Sequence, residues 1–108
     1  MAVDINGNQV VSNLTTSFDH GSNRDIDTTA EQITTTSYPA KQGVLVKADA
    51  ANGGIVYVGN SDVTAGTTAA TDGMPLSAGE SVLVKVDNAN KIYVIGSAVD
   101  QVAYFMTV

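Results

Sequence analysis

The chain has one histidine, His20, and residues that could assist it stand close by: Asp19 precedes it, Asp25 follows, and Ser17 and Ser22 flank it. An imidazole oriented by a carboxylate and hydrogen-bonded to a serine hydroxyl is the apparatus of nucleophilic acyl transfer. That chemistry needs a rigid, partly buried frame, whereas these residues fall in the least apolar part of the chain. A polar loop is therefore the expected setting, and no catalytic residue is assigned. A second pattern, Asp4-x-Asn6-x-Asn8, has the one-three-five spacing of a calcium loop, but its sixth place is Gln9 rather than Gly and its twelfth is Thr15 rather than a bidentate Glu. A plain turn is expected there, with no metal. The absence of cysteine removes both a disulfide framework and a thiolate metal site. The expectation is a protein that is not an enzyme and carries no cofactor.

The elements that would position any functional group are visible as an internal repeat. Val44-Leu45-Val46-Lys47-Ala48-Asp49-Ala50-Ala51-Asn52 recurs as Val82-Leu83-Val84-Lys85-Val86-Asp87-Asn88-Ala89-Asn90, displaced by 38 residues. Each copy leads through a short polar turn into a second apolar run, residues 55–61 and 92–97. Val, Ile and Tyr fit a pleated surface and the Asp, Asn and Gly between the runs supply turns, so two related β-hairpins are predicted. Within them Val44, Val46 and Ala48 share one strand face, as do Val82, Val84 and Val86, while Leu45, Lys47, Leu83 and Lys85 occupy the opposite one. The valine rows are expected to face the core.

Several repeated or aromatic residues invite a functional reading, and each has a structural one. Asp49 and Asp87 occupy equivalent places at the start of turns, where a carboxylate accepts a hydrogen bond from the main chain two residues on. Lys47 and Lys85 lie on the outward rows, where lysine discourages edge-to-edge aggregation and could also meet an acidic partner. Tyr57, Tyr93, Tyr104 and Phe105 all fall in predicted strands, so core and cross-strand packing is expected; a sugar-binding platform would need some of them exposed on one face.

Residues 1–38 differ from the rest. Apolar residues are sparse, and five acids stand against one arginine, giving −4 of the chain's net charge of −6. This stretch is expected to be an extended polar N-terminal arm, with a small turn about Asn6-Gly7 and an end at Tyr38-Pro39, where proline forces extended geometry on the residue before it. Residues 39–108 are then the β-domain. Val10, Val11, Leu14, Phe18 and Ile26 are the apolar anchors through which such an arm would bind a partner. Between the repeats, residues 60–81 form a long loop whose Met74-Pro75-Leu76 is a short edge strand, and Gln101–Val108 reads as a central or closing strand. No window keeps apolar residues at helical spacing, so the fold class is all-β: an antiparallel β-sandwich or small jelly-roll-like β-barrel with an extended arm.

At 108 residues and 44% hydrophobic content the chain can build one compact core, although small β-domains leave much surface for a partner to cover. The acidic balance repels duplex nucleic acid and anionic membranes, so neither is an expected partner. Met1-Ala2-Val3-Asp4 opens without a basic segment or an apolar run, and no apolar stretch approaches membrane-spanning length; a soluble protein made in a cytoplasm is expected.

Val56-Tyr57-Val58-Gly59, the loop, Gly73-Met74-Pro75-Leu76-Ser77-Ala78-Gly79-Glu80, the strand that follows and Ile92-Tyr93-Val94-Ile95-Gly96-Ser97 together resemble the small structural β-domains of tailed-bacteriophage virions, particularly capsid decoration (cement) proteins. The resemblance covers about residues 40–108 and rests on motifs that mostly encode strand, turn and strand. It implies a non-enzymatic virion protein, made in the host cytoplasm, that sits on the capsid surface and reinforces the shell by bridging subunits of the major capsid protein, as a homo-oligomer and often a trimer. The competing expectation is a carbohydrate- or receptor-binding β-module of a tail fibre or adhesin.

Overall fold

The structure is a computed structural model that describes residues 17–108 and, ahead of them, the main chain of two short strands, β1 (Ala2–Val3) and β2 (Gln9–Val10). Those two pair antiparallel, Ala2 opposite Val10 and Val3 opposite Gln9, and so bracket the Asn6-Gly7 position at which a turn is expected. The remaining strands are β3 (His20–Ile26), β4 (Glu31–Gln32), β5 (Val44–Ala48), β6 (Val56–Gly59), β7 (Met74–Leu76), β8 (Ser81–Val84), β9 (Tyr93–Gly96) and β10 (Gln101–Thr107), with one 3-10 turn at Ala89–Lys91. They form two antiparallel four-stranded sheets, ordered β3-β10-β5-β8 and β4-β9-β6-β7. The expected all-β sandwich is what the chain adopts. Among the described residues no helix is long and apolar enough to cross a membrane.

Strand alternation decides what lies between the sheets. Val44, Val46 and Ala48 of β5 are buried, as are Ala103 and Phe105 of β10, and they pack with Val56, Val58, Leu76 and Val94 from the second sheet and with Ile92 just ahead of β9. Their outward neighbours Lys47, Tyr104 and Met106 are exposed. Each fully buried valine or leucine of such a layer contributes roughly 1.5–3 kcal/mol. β7 is an edge strand, and Pro75, which has no N–H to donate, sits where no further pairing is needed. β10 is central, flanked by β3 and β5, the first of the two places, central or closing, expected for its extended run.

Two expectations are corrected. The repeat units are not hairpins: β5 lies in the first sheet and β6 in the second, and β8 and β9 are divided in the same way. Pairing runs between the copies instead. Leu45 stands opposite Leu83 with Val44 opposite Val84 and Val46 opposite Val82, while Tyr57 stands opposite Ile95 and Val58 opposite Val94. The two units are arches related by a pseudo-twofold axis that passes through the Leu45:Leu83 pair. The second correction concerns the arm. β3 and β4 belong to the sheets, and Ile26 and Ile33 are core residues, so residues 20–38 are part of the sandwich. Gly21 shows how close that packing is: a Cβ there would come within 2.6 Å of the Phe105 ring.

The polar turns are specified by single side chains. Asp49 accepts from the N–H of Ala51, as expected, but in the second copy the same task falls to Asn88, whose Oδ1 accepts from Asn90 and from Tyr38. Asp87 instead pairs with Lys91 at 2.7 Å, which holds its carboxyl below the usual value. Asn52 acts as a substitute strand. Its amide donates to the carbonyl of Val102 and accepts from the N–H of Val102, at the point where the β3:β10 register shifts. Asn52→Ala would orphan that half-buried N–H, and the expected cost is about 1–3 kcal/mol, measured as a lower midpoint in urea with an unchanged slope.

Candidate functional site

The outer face of the first sheet is built by the residues that alternate with the core. Across it, register aligns His20, Met106, Leu45 and Leu83 in one row and Ser22, Tyr104, Lys47 and Ser81 in the next. Leu83 and Met106 are exposed, Leu45 is half-buried between them, and Val108 continues the apolar surface at the end of β10. The Arg24 guanidinium lies 5.5 Å from the centre of the Tyr104 ring. A soluble sheet face can place polar residues at all outward positions; here an apolar stripe runs across three strands in place of them.

Between the open edges of the sheets, β8 and β7 leave a depression of about 470 Å³, walled by Val58, Met74, Val82, Val84 and Ile92 with Lys85 at its rim. A second depression, about 750 Å³, is polar, lined by Gln32, Asn60, Asp62, Asn90, Lys91 and Tyr93. At one end of the first sheet Lys41, Lys85 and Lys91 line a third, of about 460 Å³, together with Asp87, which the Lys91 ammonium already engages. Three of the chain's five basic residues therefore gather at one place on an acidic protein.

Of the residues weighed for acyl transfer, His20 and Ser22 share the outer face of β3, and Asp25 is not brought to them. His20 and Asp25 lie towards opposite ends of β3, five positions apart and so separated by about 17 Å of extended strand. His20 is an exposed member of the outer face, and the Asp19 main chain is bonded to Thr107. Asp25 joins Asp27 and Asp100, whose carboxylate oxygens lie within 4.8 Å of one another. Sequence reading missed this trio, because Asp100 is remote in the chain and only the pairing of β3 with β10 brings it there. The cluster is mainly exposed, and the N–H of Asp100 donates to Asp27.

Of the expected partner-binding residues, Phe18 is exposed, at 61% of its surface, and available. Ile26 is wholly buried, inward-facing on β3, and cannot reach a partner. Val10 is placed only through the β2 main chain, and Val11 and Leu14 lie outside the described residues, as do Asp4, Asn6, Asn8 and Thr15 of the calcium-loop spacing. Tyr57 and Phe105 are core residues, as their strand positions suggested, whereas Tyr104 is exposed and Tyr93 half-buried.

The Asn60–Gly73 loop is organised around Asp72. Its carboxylate accepts from the Thr64 hydroxyl at 2.7 Å and from the N–H groups of Ala69 and Thr68 at 2.8 and 2.9 Å. These donors, the Thr64 hydroxyl foremost, favour the charged form and hold the Asp72 carboxyl below its ordinary value of 3.8. A depressed pKa contributes stability that is present above the unfolded value and lost as pH falls through the folded one. The loop is therefore expected to loosen only in acid, below the ordinary carboxyl range. The amide resonances of Thr68 and Ala69 should titrate together there, and Asp72→Asn should abolish that titration.

Comparison with known proteins gives no match: no family model, no curated protein and no solved structure is significantly similar to this chain.

Proposed function

We propose that this chain is a non-enzymatic virion structural protein that decorates a bacteriophage capsid and stabilises it by bridging subunits of the major capsid protein. The observation that carries the reading is the apolar stripe of Met106, Leu45 and Leu83 on the outer face of the first sheet, flanked by Tyr104 and Val108. Such a surface suits a protein partner: aromatic and large aliphatic side chains at the centre, with Lys47, Arg24 and Ser22 as a polar surround. The segments that carry the resemblance to decoration proteins supply the supporting frame, with residues 56–59 as β6 and residues 73–80 as β7 and its following turn. In this reading the working location is the capsid surface, after synthesis in the host cytoplasm.

The test is co-sedimentation with purified heads of the parent phage stripped of the protein. Wild type should pellet with heads to a saturating ratio, and Met106→Glu, which alters an outward side chain only, should reduce that binding at least tenfold. Failure of wild type to pellet, or full binding by Met106→Glu, would overturn the reading.

A second reading, a carbohydrate- or receptor-binding β-module of a tail fibre or adhesin, draws on the polar depression beside Tyr93. Amide, carboxylate and ammonium groups converge there with an aromatic wall, the mixture that sugar hydroxyls and ring faces engage. Glycan-array binding abolished by Tyr93→Ala, in a protein that ignores heads, would favour it over the first.

A further inference from the structure

The pseudo-twofold is complete in one sheet and broken in the other. In the second sheet β4 flanks β9 as β7 flanks β6, each antiparallel to its neighbour. In the first sheet β10 flanks β5, but among the described residues no strand flanks β8. The stretch that follows β6 is taken up instead in the loop held by Asp72. The open edge is competent to pair. Ala48 donates to Glu80, so main-chain groups of even-numbered β5 residues face β8, and those of Val82 and Val84 face back. Those of Ser81 and Leu83 consequently point away from the sheet, and β8 ends at Val84, where the N–H of Val86 turns back to the Val84 carbonyl. β7 has Pro75 to blunt its edge, whereas Ser81–Val84 contains neither proline nor charge. Below the open edge lies the 470 Å³ depression, where the inward side chains of a further strand would stand.

We propose that residues Ser12–Thr16 of a second copy of this chain fill that position, adding antiparallel to β8. The dyad states what the strand must present. Ala103, Phe105 and Thr107 of β10 point inward beside Ala48, Val46 and Val44. The dyad carries these places to positions beside Val86, Val84 and Val82, so the missing strand needs a small residue, a large apolar one and a small polar one at alternate places. Ser12, Leu14 and Thr16 supply that order. Main-chain hydrogen bonds then run between Thr15 and Leu83, with Leu14 entering the depression.

Direction and reach make the donor another copy. In this orientation Thr16 stands beside Val82, whereas Asp19 of the same chain is bonded to Thr107, on the far side of the sheet. The interval covers four strand spacings, about 19 Å. Three extended residues span only about 10 Å. A contact that joins one surface to a different surface of the next copy is heterologous and closes into a ring where the rotation allows. The inference stands apart from the capsid reading, which concerns the outer face.

The chain has no cysteine, so introduced thiols report cleanly. Full-length Asn13→Cys mixed with full-length Lys85→Cys under mild oxidation should give a disulfide-linked heterodimer in preference to either homodimer. An Ala78→Cys partner, placed in the exposed β7–β8 turn, should give none. Sedimentation should show an oligomer for wild type. Leu14→Asp should weaken self-association at least tenfold, with a thermal midpoint in dilute solution equal to that of wild type. Leu83→Pro, which removes an outward N–H and no bond to β5, should do the same. A monomeric wild type, a Leu14→Asp variant that assembles as wild type does, or an Asn13→Cys and Lys85→Cys mixture that gives no heterodimer would overturn the proposal. Head binding by Leu14→Asp is scored separately: its retention alongside a lost oligomer leaves the capsid reading intact, and its loss in Met106→Glu with the oligomer retained fails neither.

Discussion

Val46→Asp is expected to abolish cooperative folding. Val46 is completely buried at the centre of β5, between β10 and β8, and it faces core residues of the opposite sheet. A carboxylate there has no partner and no route to water, so either the charge is buried unpaired or the group is protonated at a cost of several kcal/mol, and the valine's own packing is lost as well. Against a total stability of about 5–15 kcal/mol, that is enough to unfold the protein. Val84→Asp provides the contrast. The repeat makes Val84 equivalent to Val46, and alternation alone ranks it as a core residue of the same standing, but β8 is an edge strand and Val84 is half-buried beside the open depression. A carboxylate at Val84 can turn towards water and towards Lys85, which lines the same depression. In dilute solution, with the β8 edge uncovered, circular dichroism melts should show a depressed but cooperative transition for Val84→Asp and none for Val46→Asp; comparable melts would mean that Val84 is packed as deeply as Val46.

Deleting residues 2–27 should also unfold the protein, while deleting residues 2–16 should leave the sandwich intact. The longer deletion removes all of β3, which pairs with β10 along its length, and with it Ile26 and the backbone at Gly21 that covers Phe105. Loss of a buried isoleucine costs about 2–5 kcal/mol by truncation alone, and the exposed edge of β10 adds unpaired main-chain groups to that. The shorter deletion stops before Asp19, the first of the described residues 17–108 bonded to the sheet. In dilute solution its melting midpoint should match wild type. A folded protein lacking residues 2–27 would show that β3 is dispensable.

The contrast between those two deletions shows where sequence reading misplaced the boundary of the arm. β3 is an edge strand whose outward residues, His20, Ser22 and Arg24, are polar and whose inward ones include Gly21 and Asn23. An edge strand need bury little apolar surface, so its composition is close to that of an unpacked segment and only Ile26 marks it as part of the core. Composition alone cannot separate the two.

What the sequence determined by itself was which residues of the first repeat face inward: a period of two is a local property, and the row Val44-Val46-Ala48 follows from it without knowledge of any partner strand. It also determined the relation between the copies, the edge character of β7 through Pro75, and the all-β class. Only the tertiary structure decided which strand pairs with which. Alternation records a face but not a neighbour, so a unit of two strands reads equally as a hairpin or as an arch, and it was the pairing of like with like across the Leu45:Leu83 axis that made arches of both. The same holds for the surfaces. Met106, Leu45 and Leu83 come from three strands spread over the chain and become one stripe only through register, and β8 acquires an open edge only because the residues after β6 form a loop. These are long-range pairings, and no short-range pattern encodes them.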